Sequence, residues 1–245
     1  MQLLISMMYH HVGSDRCSND LEIFEQHLAY ISKNFTSLFP TFEKLPSHPI
    51  CLVFDDGYYD FYKFIYPLLK KYNLKALVAV APKYILNDTD KDDDIRLNYE
   101  HNKLFKEYKN ATFCTYKELK EMSDSGLVQV ISHSYSHKNL LEDNVNLKEE
   151  LLKSKEIIEQ KLHTKVESFV YPFGKYNQHI LQETMKHYKY SFRIGNGVNK
   201  DFKGVHGVIY RIDGDFLKTP NEIFSFTNMF RFKLKTFIKK LVGNT

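Results

Sequence analysis

The run Ile50-Cys51-Leu52-Val53-Phe54 ends abruptly on Asp55-Asp56-Gly57, and this junction limits the chain more than any other stretch. Five consecutive apolar residues with an abrupt polar stop are the pattern of a strand buried on both faces. Two adjacent carboxylates at the end of such a strand repel each other, and desolvation raises the cost. A nearby cation, most simply a divalent metal, is what keeps at least one of them ionised. Taken alone, Asp-Asp-Gly also describes an ordinary turn, because Asp tolerates turn geometry and Gly supplies positive φ.

A second apolar run, Leu127 to Ile131, is followed by His133-Ser134-Tyr135-Ser136-His137. His-x-x-x-His on one turn or in a tight loop can aim both imidazoles at one point. One Asp and two His form a facial ligand set that leaves coordination positions open, which suits catalysis better than scaffolding. The remaining Asp would then be free to act as a base.

Phe54-Asp55-Asp56-Gly57 resembles the first motif of the polysaccharide deacetylases with a NodB-type domain, carbohydrate esterase family 4, and His133-Ser134-x-x-His137 resembles the second. Tyr171-Pro172-Phe173-Gly174 is similar to the third motif in the form seen in the poly-N-acetylglucosamine deacetylase branch, and Met8-Tyr9-His10-His11-Val12 to the opening strand of that branch. The resemblance runs from about Met1 to Asp213 and implies a metal-dependent N-deacetylase acting on an N-acylated sugar. It implies that Asp56, His133 and His137 hold a divalent metal, zinc first. Asp55 would take a proton from the attacking water, and the Phe173 backbone N–H would stabilise the oxyanion. His11, Tyr171, Pro172, Phe173, Gly174 and Arg211 would line the substrate site. The chain departs from the family in two places. Val170 stands where an Arg usually orients the base, a task that Arg193 or Arg211 could take from neighbouring strands. There is also no Leu-x-His to supply the general acid, and His206, within Gly204-Val205-His206-Gly207, is the candidate in roughly the right region.

With 245 residues and 43% apolar content, the chain can bury one sizeable core. Short strands separated by helices indicate a βα-repeat fold, and the resemblance sharpens this to a single-domain distorted (β/α)7-type barrel spanning residues 1–215. Within it, Asn19-Asp20 caps a helix from Leu21, Pro67 predicts a kink or early break in the helix after the carboxylates, and Thr115 with Glu118 makes a capping box. Residues 84–110, with five Asp and no apolar period, read as a solvated insertion near the mouth. Residues 216–245 contain a basic amphipathic helix, Asn221 to Val242. It could lie on an anionic membrane as a peripheral contact, or dock on the barrel with its lysines in water. The commonness of amphipathic helices favours docking.

The formal charge of +4 gives no case for nucleic acid. Gly195-Asn196-Gly197 lacks the rest of a dinucleotide fingerprint, and the acidic run lacks EF-hand spacing. Three widely spaced cysteines read as reduced thiols. Met1 to Met8 lacks a basic n-region and reads as a first strand, so a cytoplasmic location is the expectation. The expected substrate is then a lipid-linked or nucleotide-linked saccharide precursor in cell-envelope or surface-polysaccharide biosynthesis. The missing Leu-x-His motivates an alternative, a catalytically impaired sugar-binding or assembly protein. A metal-dependent hydrolase acting on a non-sugar C–N bond is a third reading.

Overall fold

A computed structural model describes residues 3–242, so Met1 and Gln2 of the expected first strand and the last three residues of the C-terminal segment lie outside the described part. Seven parallel strands close into a barrel: β1 (Ile5–Tyr9), β2 (Pro49–Phe54), β3 (Ala76–Val80), β4 (Val128–Ser132), β5 (Ser168–Val170), β6 (Tyr190–Ile194) and β7 (Ile209–Asp213). Each pairs with its neighbour in sequence, and β1 closes the ring by pairing with both β2 (Tyr9 opposite Phe54) and β7 (Met7 opposite Ile212). The expected seven-stranded barrel is therefore the observed one.

The strands read as unbroken apolar runs because both faces are covered. Alternate side chains, among them Cys51, Val53, Leu77, Ala79, Ile131 and Ile209, form one buried cluster. Those between them, including Ile50, Leu52, Phe54, Val78 and Val130, join the apolar faces of the surrounding helices in another. The helix α1 (Leu21–Asn34) starts at Asp20, whose side chain accepts from the Ile23 N–H, and buries Phe24, Leu28 and Ile31. Pro67 has no N–H to donate, and the chain meets it by widening into a π-helical turn over Phe61–Ile65. It then resumes as α2 (Tyr66–Tyr72) with the proline in its first turn. The Thr115–Glu118 capping box opens α3 (Tyr116–Asp124) as expected.

The segment 84–110 is more tied down than its acidic run suggests. It holds a short helix, Asp93–Leu97, and two single 3₁₀ turns. Its anchor is Arg96, which is buried and donates through Nη1 (2.6 Å) and Nη2 (2.8 Å) to the Glu118 carboxylate and through Nε to the Ala111 carbonyl (2.9 Å). The guanidinium also lies 3.3 Å from the Tyr59 ring centroid. Breaking a buried pair on one side leaves the other charge uncompensated. Arg96→Met is therefore expected to lower unfolding stability by about 3 kcal/mol in chemical denaturation. Unchanged stability would show that this segment is not held by that pair.

Candidate active site

Strand alternation decides what reaches the barrel mouth. The inward parity of Cys51 and Val53 continues to Asp55, that of Ile131 to His133, and that of Ile209 to Arg211. On β1 the inward set is Ser6, Met8 and His10, since Ile5, Met7 and Tyr9 belong to the outer cluster. These ends open into a pocket of about 460 Å³.

Past the strand ends the chain turns sharply. Asp56 (φ 68°), Ser134 (φ 62°), His137 (φ 53°) and Phe173 (φ 57°) all occupy the left-handed region, which is costly for non-glycine residues and tends to persist at functional sites. Gly57 follows at φ 67°, and a Cβ there would come within 2.7 Å of a Val80 methyl, so glycine is required to complete the turn.

These turns bring Asp56, His133 and His137 together, with one potential ligand atom from each lying within 4.8 Å of the others. Asp56 Oδ1 is 3.6 Å from His133 Nε2 and 3.3 Å from His137 Nε2, while Oδ2 accepts from the Tyr58 hydroxyl (2.7 Å). His133 Nδ1 lies 2.9 Å from the Val170 carbonyl, which can only accept. That puts a proton on Nδ1 and turns Nε2 toward Asp56. Burial pushes the His137 imidazole down to about 4, so that ring is neutral near pH 7. Asp56 Oδ1 is buried with no hydrogen-bond partner. An orphaned carboxylate oxygen facing imidazole nitrogens fits a divalent cation, and the two-His, one-Asp donor set suits zinc.

Asp55 sits beside this group in a different setting. Arg211, 1% exposed, grips both of its oxygens, at 2.5 Å from Nη1 and 2.8 Å from Nη2. Burial pushes the Asp55 carboxyl up, but the Arg211 charge outweighs it, and the group stays ionised below the usual carboxylate range. Arg211 thus takes the orienting task left open by Val170. Arg211 also lines the pocket, as expected of a substrate-site residue. Arg193 is elsewhere, donating to the Ile194 carbonyl and lying over Tyr176 and Tyr210.

Two expectations need correcting. His11 does not line the pocket. It points outward from the β1 end, 1% exposed, stacked on Tyr58 at 3.7 Å and 3.3 Å from Asp60 Oδ2. His206 is also absent from the mouth. It lies in the loop before β7 and therefore at the opposite end of the barrel, where its Nε2 is 3.3 Å from the Lys240 carbonyl and the adjacent Gly207 carbonyl accepts from Ser191.

The imidazole that faces Asp55 is that of His10. Its Nδ1 is 2.6 Å from Asp215 Oδ2 and its backbone N–H donates to Asp215 Oδ1 (3.1 Å), while Nε2 faces Asp55 Oδ2 at 4.0 Å. Burial works against the charged ring. The hydrogen bond and charge of Asp215, helped by Asp55, outweigh it and raise His10 to about 9. Period-two parity along β1 carried this signal in the sequence, as did Asp215 just beyond β7.

The remaining wall is aromatic and partly borrowed. Phe105 and His101 from segment 84–110 line the pocket, with the Phe105 ring stacked on His137 at 4.6 Å. Phe173 meets His137 edge-on at 4.8 Å and is 61% exposed. Tyr171 and Gly174 also line the pocket, and Pro172 shapes the turn that presents them. An acidic and basic group beside a candidate cation site, under aromatic faces, can hydrolyse a neutral ligand with an apolar ring face.

A family description for polysaccharide deacetylases matches residues 43–191. Among curated proteins, the chain is 28% identical over 194 residues to the Bacillus subtilis protein YxkH, named as a polysaccharide deacetylase, which covers 74% of this chain. It is 23% identical over 170 residues, 58% of this chain, to the poly-beta-1,6-N-acetyl-D-glucosamine N-deacetylase of Escherichia coli K12. The chain spans 60% and 24% of the lengths of these two relatives. Among solved structures, the Streptococcus pyogenes deacetylase PplD, in complex with acetate, superposes with a TM-score of 0.72 at 23% identity, over 91% of this chain and 96% of that one. IcaB from Ammonifex degensii gives 0.68 at 19% identity, over 86% and 91%.

Proposed function

Because the chain belongs to the polysaccharide deacetylase family, we propose that it is a metal-dependent hydrolase that removes an acetyl or related acyl group from the amide nitrogen of an N-acylated saccharide. The observation that carries this reading is the orphaned Asp56 Oδ1 between His133 and His137, set beside an ion-paired Asp55 and a protonated His10. A divalent cation held by Asp56, His133 and His137 would lower the pKa of water and polarise the amide carbonyl oxygen.

The side chains supply the rest. Asp55, ionised and fixed by Arg211, has a lone pair left on each oxygen and takes the proton as the water oxygen bonds to the acyl carbon. The amide C–N bond then breaks, and the nitrogen leaves as an amine with a proton delivered by His10, which Asp215 holds in place and keeps charged. The products are a carboxylate and an amino sugar. The exposed Phe173 and the Phe105 ring offer apolar faces to the C–H surface of a sugar. A His10–Asp215 pair at the mouth removes the main reason for reading the chain as an impaired sugar-binding protein, since the acid missing from Leu-x-His has a replacement. Saccharides of cell-envelope or surface polymers, free or carried on a lipid or nucleotide, are the proposed substrate class.

The test is acetate release from short N-acetylglucosamine oligomers and from lipid- and nucleotide-linked N-acetylated sugars, with zinc supplied and then chelated. Release that stops on chelation and returns with the metal is expected. No acetate from any of these substrates with the metal present would overturn the proposal.

A further inference from the structure

The C-terminal helix α4 (Phe226–Val242) carries Arg231, Lys233, Lys235, Lys239 and Lys240 and no acidic residue, whereas the whole chain has a formal charge of only +4. The helix therefore carries a local excess of positive charge larger than the net charge of the whole chain. The helix is attached to the barrel by a narrow face. Thr236 is buried, accepts from the Val198 N–H (2.8 Å) and donates to the Val198 carbonyl (2.9 Å), while Met229 and Phe232 pack against the core.

The sequence favoured a helix whose apolar stripe is covered and whose lysines face water. The structure has the apolar stripe outside. Phe226, Phe230, Leu234, Phe237 and Leu241 follow one another at spacings of three and four, so they form one ridge on the helix. Phe226 is 89% exposed, Leu241 71%, Phe230 60% and Phe237 59%. By helical geometry, Lys233 and Lys240 flank one side of this ridge and Arg231 and Lys235 the other, and all four are exposed. A ridge of three phenylalanines and two leucines open to water is too large and too ordered to be ordinary surface scatter.

We infer that α4 lies flat on an anionic lipid bilayer, its ridge sunk among the acyl chains and its basic flanks against the headgroups. Charge complementarity selects this occupant. Lys239 is turned to the barrel, over the Tyr210 ring, so a second copy of the same face would bring four cations against four, which opposes self-association. A bilayer instead receives a convex apolar ridge at its interface, and long lysine stems let the ammonium groups reach phosphates while their methylenes stay buried. The helix lies on the membrane because no helix among the described residues is long and apolar enough to cross it. Docking does not require the hydrolytic reading to hold, since none of these residues lines the pocket.

The experiment is co-sedimentation of the full chain with phosphatidylcholine vesicles, with and without about one third phosphatidylglycerol. Binding to the anionic vesicles is expected to be at least about tenfold stronger and to fall away near 0.5 M salt, where screening is short-ranged. The double variant F230S/F237S should lose binding by about tenfold or more, with its unfolding transition and its acetate release from soluble substrate intact. The chain has no tryptophan, so Phe237→Trp is a unique reporter whose emission should shift to the blue on anionic vesicles alone. Equal sedimentation of wild type and F230S/F237S, an unshifted Trp emission, or a stable dimer dispersed by F230S/F237S would each overturn the inference. Loss of acetate release in every form, with vesicle binding retained, would count against the reaction and leave the docking intact.

Discussion

His137→Ala is expected to weaken divalent-cation binding by more than about a hundredfold, because removing even the outer partners of a metal ligand costs 10–100-fold. Hydrolysis should fall by about three orders of magnitude, the kinetic equivalent of the several kcal/mol that a bound cation supplies. His133→Ala and Asp56→Asn should behave alike, since the three potential ligand atoms lie within one 4.8 Å group. The fold should survive in His137→Ala, because the ring lies at the mouth and its main neighbours, Phe105 and Phe173, stand on the pocket wall. In fact, without a cation the wild type carries an unsatisfied Asp56 oxygen, so cation binding should raise its unfolding temperature and not that of the variant. Calorimetric titration with zinc, read beside thermal unfolding, separates the two. Full cation binding and turnover in His137→Ala would break the assignment.

The second large effect is expected at His10. Removing a positioned general acid typically costs 10²–10⁴ in rate, so His10→Gln should lose about three orders of magnitude in kcat while still binding the cation. Asp215→Asn provides a finer test. Asp215 supplies the hydrogen bond and the largest favourable charge that raise His10 to about 9, so its loss should move the alkaline limb of the kcat profile to lower pH. A bound cation adds positive charge and lowers that limb in both proteins, so the difference between them is the quantity to read. The sign for stability is the same. A histidine raised in the folded state stabilises fully below the ordinary value near 6.5, and the contribution is lost as pH rises through about 9. An unmoved alkaline limb in Asp215→Asn would show that His10 is not the group that titrates.

Asp55→Asn would also abolish turnover, but it leaves Arg211 buried without its counter-charge, so its effect mixes catalysis with folding. His10→Gln is the gentler change, because His10 is 19% exposed and a glutamine amide can still donate to the Asp215 carboxylate.

Much of this was legible in the residues themselves because it depends on local pattern. Strand runs that stop at Asp55 and at His133 are set by period and by polarity, and a βα-repeat fold follows from their repetition between helical segments, which the family resemblance sharpened to a barrel. The Thr115 cap and the Asp20 cap are likewise short-range chemistry between residues three apart. The convergence of Asp56 with His133 and His137 was also readable, because both groups sit at the C-terminal ends of parallel strands, and all such ends share one mouth.

What the sequence could not decide by itself was which neighbour faces which way and what the long-range partners are. His10 and His11 are adjacent, yet a β-strand sends successive side chains to opposite faces, so one meets Asp55 and the other stacks on Tyr58. His206 looked suitable by its place in the chain, but it precedes a strand instead of following one, and the closed barrel puts those two ends on opposite faces. Arg211 and Asp55 are 156 residues apart, and only closure of the ring sets a guanidinium against that carboxylate. The C-terminal helix shows the same limit in reverse. Its sequence specifies an amphipathic pattern, but whether the apolar side is covered depends on which residues touch the barrel, and here Thr236 and its neighbours do so while the phenylalanine ridge stays outside.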